Sequence, residues 1–125
     1  MSRTILVVDD EPDIRELARL GLELVGGHHV VVADSGAAAA ALVEEVRPDA
    51  VLLDVQMPGM DGPATLAALR SGRVGATVPV LFLTASVQEA QLTQLLELDV
   101  VTVLSKPFDP MTLPQQVDQA LGWSS

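Results

Sequence analysis

The sequence predicts a single α/β domain, residues 1–125, built on a doubly wound five-stranded parallel sheet with helices on both faces. Three observations carry that prediction. Five short apolar runs, mostly β-branched or leucine-rich, recur along the chain. Segments with helical spacing lie between them. Glycine, proline and serine mark the breaks.

The first run is Ile5 to Val8, and the others are Val30 to Val32, Val51 to Leu53, Val80 to Leu83 and Val100 to Leu104. Each suits a strand buried on both faces, although Thr102 interrupts the fifth. Ile14, Leu17, Ala18, Gly21 and Val25 fall on one face of a first helix, with Pro12 in its first turn and Gly26-Gly27 ending it. Ser35 caps a second helix through the alanine run to about Val46, where Arg47-Pro48 stops it. Pro63 to Arg70 reads as a third helix and Ser86 to Leu98 as a fourth. The fifth places Leu113, Val117 and Leu121 on one face; Pro114 predicts a late start or a distorted first turn. Gly72 to Thr77 is the one loose stretch. No second domain is expected after the fifth helix.

Composition narrows the function classes. The formal net charge is −10, which repels phosphate backbones, and only Phe82, Phe108 and Trp123 are aromatic. Nucleic-acid binding by this chain is therefore not expected. Cysteine is absent, which excludes disulfides and thiol chemistry. The longest apolar stretch, Gly36 to Val43, is too short to cross a bilayer, and Asp9-Asp10 interrupt the first apolar run. No membrane partner is expected, and a cytoplasmic location is the default.

In doubly wound sheets, ligands bind beyond the carboxyl ends of the strands. Asp9 and Asp10 follow strand one, Asp54 ends strand three, Thr84 ends strand four, and Ser105-Lys106 follow strand five. Unit charges ~4 Å apart repel by about 4 kcal/mol at an effective dielectric near 20. Lys106 supplies one compensating charge. A hard divalent cation is the natural second, and oxygen donors suit Mg²⁺. Taken singly, Asp10 is also a plausible helix cap, Thr84 a core hydroxyl, Lys106 a solvated loop residue and Asp61 a turn residue. Four strand ends carrying suitable groups together favour a site.

These residues resemble the response-regulator receiver family of two-component signal transduction, particularly its single-domain chemotaxis regulators. Val7-Val8-Asp9-Asp10-Glu11 is similar to the acidic opening, and Leu52 to Gly62 to the phosphoacceptor stretch. Leu83-Thr84-Ala85 and Lys106-Pro107-Phe108 match two later signatures. The resemblance implies a flavodoxin-like sheet of order 2-1-3-4-5. It implies that Asp54 becomes an aspartyl-phosphate. Direct Mg²⁺ ligands would be Asp10, Asp54 and the Gln56 backbone carbonyl, with Asp9 acting mainly through water. Lys106, the Thr84 hydroxyl and the Ala85 amide would bind the phosphoryl oxygens. The implied donor is a histidine kinase or phosphotransfer protein in a phosphorelay, and the implied output a changed contact with a downstream protein. Such a domain catalyses only its own phosphoryl transfer and dephosphorylation. A receiver piece of a multidomain regulator or hybrid kinase fits the same residues. A haloacid-dehalogenase-like phosphatase would want a second aspartate two residues after the first, where Gln56 stands; a degenerate binding module would have lost Asp54 or Lys106. Two departures stand out. Val103 occupies the position of the usual switch aromatic, and Leu98-Asp99-Val100-Val101 replaces the usual Gly-Ala turn. The first predicts that the loop from Thr84 to Val87 carries most of the switch.

Overall fold

The computed structural model describes residues 3–123; Met1, Ser2, Ser124 and Ser125 lie outside them. Five strands and five helices alternate along the chain. They are β1 (Thr4–Val8), α1 (Pro12–Leu20), β2 (His29–Ala33), α2 (Gly36–Val46), β3 (Ala50–Asp54), α3 (Gly62–Arg70), β4 (Val80–Thr84), α4 (Glu89–Leu96), β5 (Thr102–Ser105) and α5 (Leu113–Leu121). The strands form one parallel sheet in the order β2-β1-β3-β4-β5, as expected.

Alternation along the strands divides the core. Leu6, Val8, Val51, Leu53, Val80 and Phe82 pack with Ala39 and Val43 of α2, Leu66 and Leu69 of α3 and Leu95 of α4. Ile5, Val7, Leu52, Leu81 and Leu83 face the other way, against Ala18 of α1, Leu22, and Leu113 and Val117 of α5. Central strands β3 and β4 are buried throughout. Their ends are consequently fixed in place, which matters because both ends carry polar side chains.

Several boundaries differ from the sequence reading, each for a local reason. The first helix does not stay α-helical to Gly26: Gly21–Val25 form a π-helical turn, closed by the Gly26 amide on the Gly21 carbonyl at 3.1 Å. Leu22, within that wider turn, is completely buried, while Val25 is 47% exposed and Leu17, in the α-helical part, 41%, so the buried face differs from the predicted one. Strand β5 begins at Thr102, not Val100, because the Val100 amide turns back to the Leu98 carbonyl. Helix α4 is shorter than predicted at both ends. Before it, the Ser86 and Gln88 amides bond the Thr84 and Ser86 hydroxyls, giving serine/threonine turns instead of a helical turn. Helix α5 starts late, at Leu113, which puts Pro114 in its first turn. Asp61, expected as a turn residue, caps α3 by accepting the Ala64 amide at 2.9 Å.

The stretch from Gly72 to Thr77 is not loose. The Glu44 carboxylate of α2 accepts the amides of Arg73, Val74 and Gly75 at 2.9–3.1 Å. Arg70 donates to the carbonyls of Gly75, Val78 and Asp99, and pairs with the Asp99 carboxylate. The amides of Gly75 and Val74 hold the Glu44 carboxyl below the usual carboxylate range. Its stabilisation is therefore present at neutral pH and lost as pH falls through that lowered value. Glu44→Gln, which sets an amide NH₂ against a backbone donor, is expected to speed hydrogen exchange at Gly75 and lower the melting temperature. Wild type and variant should converge in acid; a gap that stays constant with pH would remove the carboxylate from the account.

Candidate functional site

The sheet brings Asp9, Asp10, Asp54, Thr84 and Lys106 to one rim. Asp9 and Asp10 directly follow β1, Asp54 and Thr84 are the last residues of β3 and β4, and Lys106 follows β5. Parallel register aligns them: Val8 opposes Leu53, Asp54 opposes Leu83, and Thr84 opposes Ser105. The loop after β3 is shaped by two glycines. Gly59 has φ +79°, which favours glycine. A Cβ on Gly62 would lie 2.7 Å from Val55 Cα and 3.1 Å from the Asp54 carbonyl oxygen. Only glycine lets α3 start this close to the end of β3.

Asp9, Asp54 and Thr84 are fully buried. Lys106 Nζ stands 2.8 Å from Asp9 Oδ2 and 3.0 Å from Asp54 Oδ1. Its side chain is 11% exposed, so the solvated-loop reading of Lys106 does not hold. Asp9 Oδ1 accepts the Glu11 amide at 2.9 Å, and Asp54 Oδ1 the Gln56 amide at 3.4 Å. Asp54 Oδ2 is buried with no hydrogen-bond partner among the described residues, and Asp9 Oδ2 has its ion pair with Lys106 but no aligned hydrogen bond. Asp10 is half-buried and does not cap α1, whose N-cap is Glu11. The Lys106-Pro107 peptide is cis.

Burial pushes the Asp54 carboxyl up to about 6, with the charge of Asp9 adding to it and Lys106 opposing. The sequence alone gives an ordinary, fully ionised aspartate. In the fold it is still largely ionised at neutral pH, but under strain from its surroundings. Burial by itself would lower the Lys106 pKa, yet Asp9 and Asp54 raise it overall.

Carboxylate oxygens of Asp9, Asp10 and Asp54 lie within 4.8 Å of one another. Three converging acidic oxygens, beside an Asp54 oxygen that has no hydrogen-bond partner among the described residues, fit a hard divalent cation. Lys106 neutralises one of the three charges and leaves an excess for it.

Two features escaped the sequence reading. Arg15 of α1 reaches back to the Asp9 carbonyl at 2.7 Å and fixes the turn after β1. The Gln56 side chain, not only its backbone, enters the site: Nε2 donates to Thr84 Oγ1 at 3.1 Å. A glutamine two residues after a strand-end aspartate carries no pattern that announces this. A cavity of about 330 Å³ lies beside Val103, bounded also by Thr84, Ser86, Leu92 and Gln116.

A family model described as "Response regulator receiver domain" matches residues 5–118. The phosphate regulon transcriptional regulatory protein PhoB of Pseudomonas aeruginosa is 32% identical over 97% of this chain, covering 52% of its own length. An uncharacterised 14.6 kDa protein of Leptolyngbya boryana is 39% identical over 92% of this chain and 87% of its own. The chain spans about half the length of most of the curated relatives it matches. Among solved structures, the chemotaxis protein CheY4 of Vibrio cholerae superposes with a TM-score of 0.87 at 28% identity, over 96% of this chain and 99% of that one. No helix among the described residues is long and apolar enough to cross a membrane. Fold, rim geometry and relatives agree that the chain belongs to the response regulator receiver domain family, the phosphoacceptor switches of two-component systems.

Proposed function

We propose that residues 1–125 act as one receiver unit in which Asp54 takes a phosphoryl group from a histidine kinase or phosphotransfer protein. The observation that carries this is the buried Asp54 carboxylate, with one oxygen paired to Lys106 and the other without a hydrogen-bond partner among the described residues. An Asp54 oxygen attacks phosphorus as the bond to the donor nitrogen breaks. Asp10, Asp54 and the Gln56 backbone carbonyl would hold Mg²⁺, with Asp9 supporting it through water. Bound Mg²⁺ supplies positive charge to the transferring oxygens. Lys106, the Thr84 hydroxyl and the Ala85 amide stabilise the same charge by pairing and hydrogen bonding. Electrostatic repulsion within the acidic cluster supports this use of a cation. Intact mass after incubation with acetyl phosphate should rise by one phosphoryl group, mapped to Asp54, and chelation should prevent it. Labelling elsewhere, or labelling insensitive to chelator, would overturn the reading.

Asp10 is the ligand that can be removed with least damage to the core, being half-buried and free of Lys106. Asp10→Ala should weaken Mg²⁺ binding and slow phosphorylation together, on the order of tenfold or more. Unchanged Mg²⁺ binding would reduce Asp10 to a loop residue.

The output is a changed contact with a downstream protein in the cytoplasm, made by this chain without nucleic acid or membrane. Val103 has no ring to rotate and is stiff at χ1. The loop from Thr84 to Val87 and the start of α4 therefore carry the change. That end of the helix presents Gln88, Glu89 and Gln94 to solvent, while Gln91 is half-buried. Amide shifts on forming the beryllofluoride adduct should concentrate in residues 84–92 and be small near Val103. Largest shifts on β5 and α5 that survive Thr84→Ala would refute this route.

A further inference from the structure

The Gln56 side chain does something that the proposed chemistry does not use. Its Nε2 donates to Thr84 Oγ1 at 3.1 Å, and its Oε1 lies 3.5 Å from both Thr84 Oγ1 and the Ala85 amide nitrogen. Thr84 Oγ1 also accepts the Ser86 amide at 3.0 Å. A hydroxyl has two acceptor positions and one proton. Both acceptor positions are filled, and the remaining proton can reach Gln56 Oε1 only across 3.5 Å. One carboxamide thus faces both groups assigned above to the phosphoryl oxygens, with a donor toward the hydroxyl and an acceptor toward the amide. Neither a hydrocarbon nor a carboxylate offers that pair.

We propose that the Gln56 carboxamide is an off-state latch, which holds the Thr84 hydroxyl and shields the Ala85 amide until phosphoryl oxygens on Asp54 displace it. The latch rests on the function proposed above and adds a restraint to it. Phosphoryl oxygens compete with the carboxamide for the same two donors. They win through charge, since hydrogen bonds to an anion are the stronger ones. Gln56 is itself exposed, so its displaced amide exchanges one hydrogen-bond partner for water. Thr84 is not, being wholly buried. Its hydroxyl therefore needs a partner in either state and moves directly from one to the other. Gln56 is in this sense a positioning residue acting through Thr84. The latch keeps the 84–88 loop in its resting form without any contact to Lys106 or the acidic cluster.

The test uses the full chain, with Gln56→Leu, Thr84→Ala and the double variant. In the free protein, Gln56→Leu should shift the Thr84 methyl and Ala85 amide resonances and speed exchange at Ala85. With Mg²⁺ and beryllofluoride, Gln56→Leu should bind the adduct about three- to tenfold more tightly than wild type, the equivalent of one hydrogen bond. That gain should shrink in the Thr84→Ala background, where only the Ala85 amide is left to shield. Unchanged or weaker adduct binding in Gln56→Leu would overturn the proposal. So would a gain that is undiminished without the Thr84 hydroxyl, which would mean that the side chain merely obstructs the site. If wild type takes neither beryllofluoride nor a phosphoryl group, the proposed function fails instead. The latch is then judged in the free protein, where unchanged Ala85 exchange in Gln56→Leu refutes it.

Discussion

Lys106→Met should destabilise the metal-free protein by about 3–5 kcal/mol, roughly 10–20 °C in melting temperature. Methionine keeps most of the length and apolar bulk of lysine, so the loss is electrostatic. Lys106 is the cation within 3.0 Å of both Asp9 and Asp54, and those two carboxylates are fully buried. Removing it leaves buried charges with neither water nor a counter-ion. The reverse dependence also holds, because burial opposes the Lys106 charge and Asp9 and Asp54 sustain it. Urea unfolding in chelator is the direct measurement. Two conditions should restore stability: added Mg²⁺, which replaces the missing charge, and mild acid, which protonates Asp54. A variant within about 1 kcal/mol of wild type, indifferent to both, would show that solvent already screens the cluster.

Much of this site is legible in the sequence because it depends on strand ends. Apolar runs fix which residues are buried, and the first polar residue after each run falls at the rim. Asp9, Asp54 and Thr84 follow from that rule alone; after the fifth run it points to Ser105, and Lys106 is the next residue. The sheet is legible for the same reason, since β3 and β4 are apolar almost without interruption; its strand order follows from the family resemblance instead. What stays hidden depends on side chains reaching across elements. Glu44 and Arg70 organise the loops at the opposite end of the sheet through backbone groups some thirty residues away. Neither lies in a recognisable pattern. The π-helical turn at Gly21 is also unsignalled, because spacing assumes a constant residue count per turn. It shows in the burial of Leu22, which a regular helix through Ile14 and Ala18 places at the flank. The Gln56 contact is hidden for a different reason: its backbone already has a function, so nothing in the spacing draws notice to its side chain.

Asp54→Asn should have two opposite effects. It should abolish the gain of one phosphoryl group, because an amide oxygen is not a competent nucleophile here. It should also raise the stability of the metal-free protein at neutral pH. The Asp54 carboxyl is pushed from 3.8 up to about 6, chiefly by burial and secondarily by Asp9. Between those values the folded chain holds a proton that the unfolded chain has released. The contribution of Asp54 to stability is thus fully present below the unfolded value and is lost as pH rises through about 6. Above that, the ionised side chain opposes folding by about 1–2 kcal/mol, after allowance for relaxation around Lys106. Asparagine has nearly the same shape and no charge, so it escapes this cost of burial while Asp9 keeps Lys106 paired. Melting in chelator between about pH 4 and 8 should show wild type losing stability relative to the variant as pH rises, with the two converging in acid. Mg²⁺ should narrow the gap at neutral pH by binding the wild-type cluster. If Asp54→Asn is instead the less stable protein at neutral pH in chelator, then its pairing with Lys106 outweighs its burial. The strain that makes Asp54 ready for a new partner would then be absent.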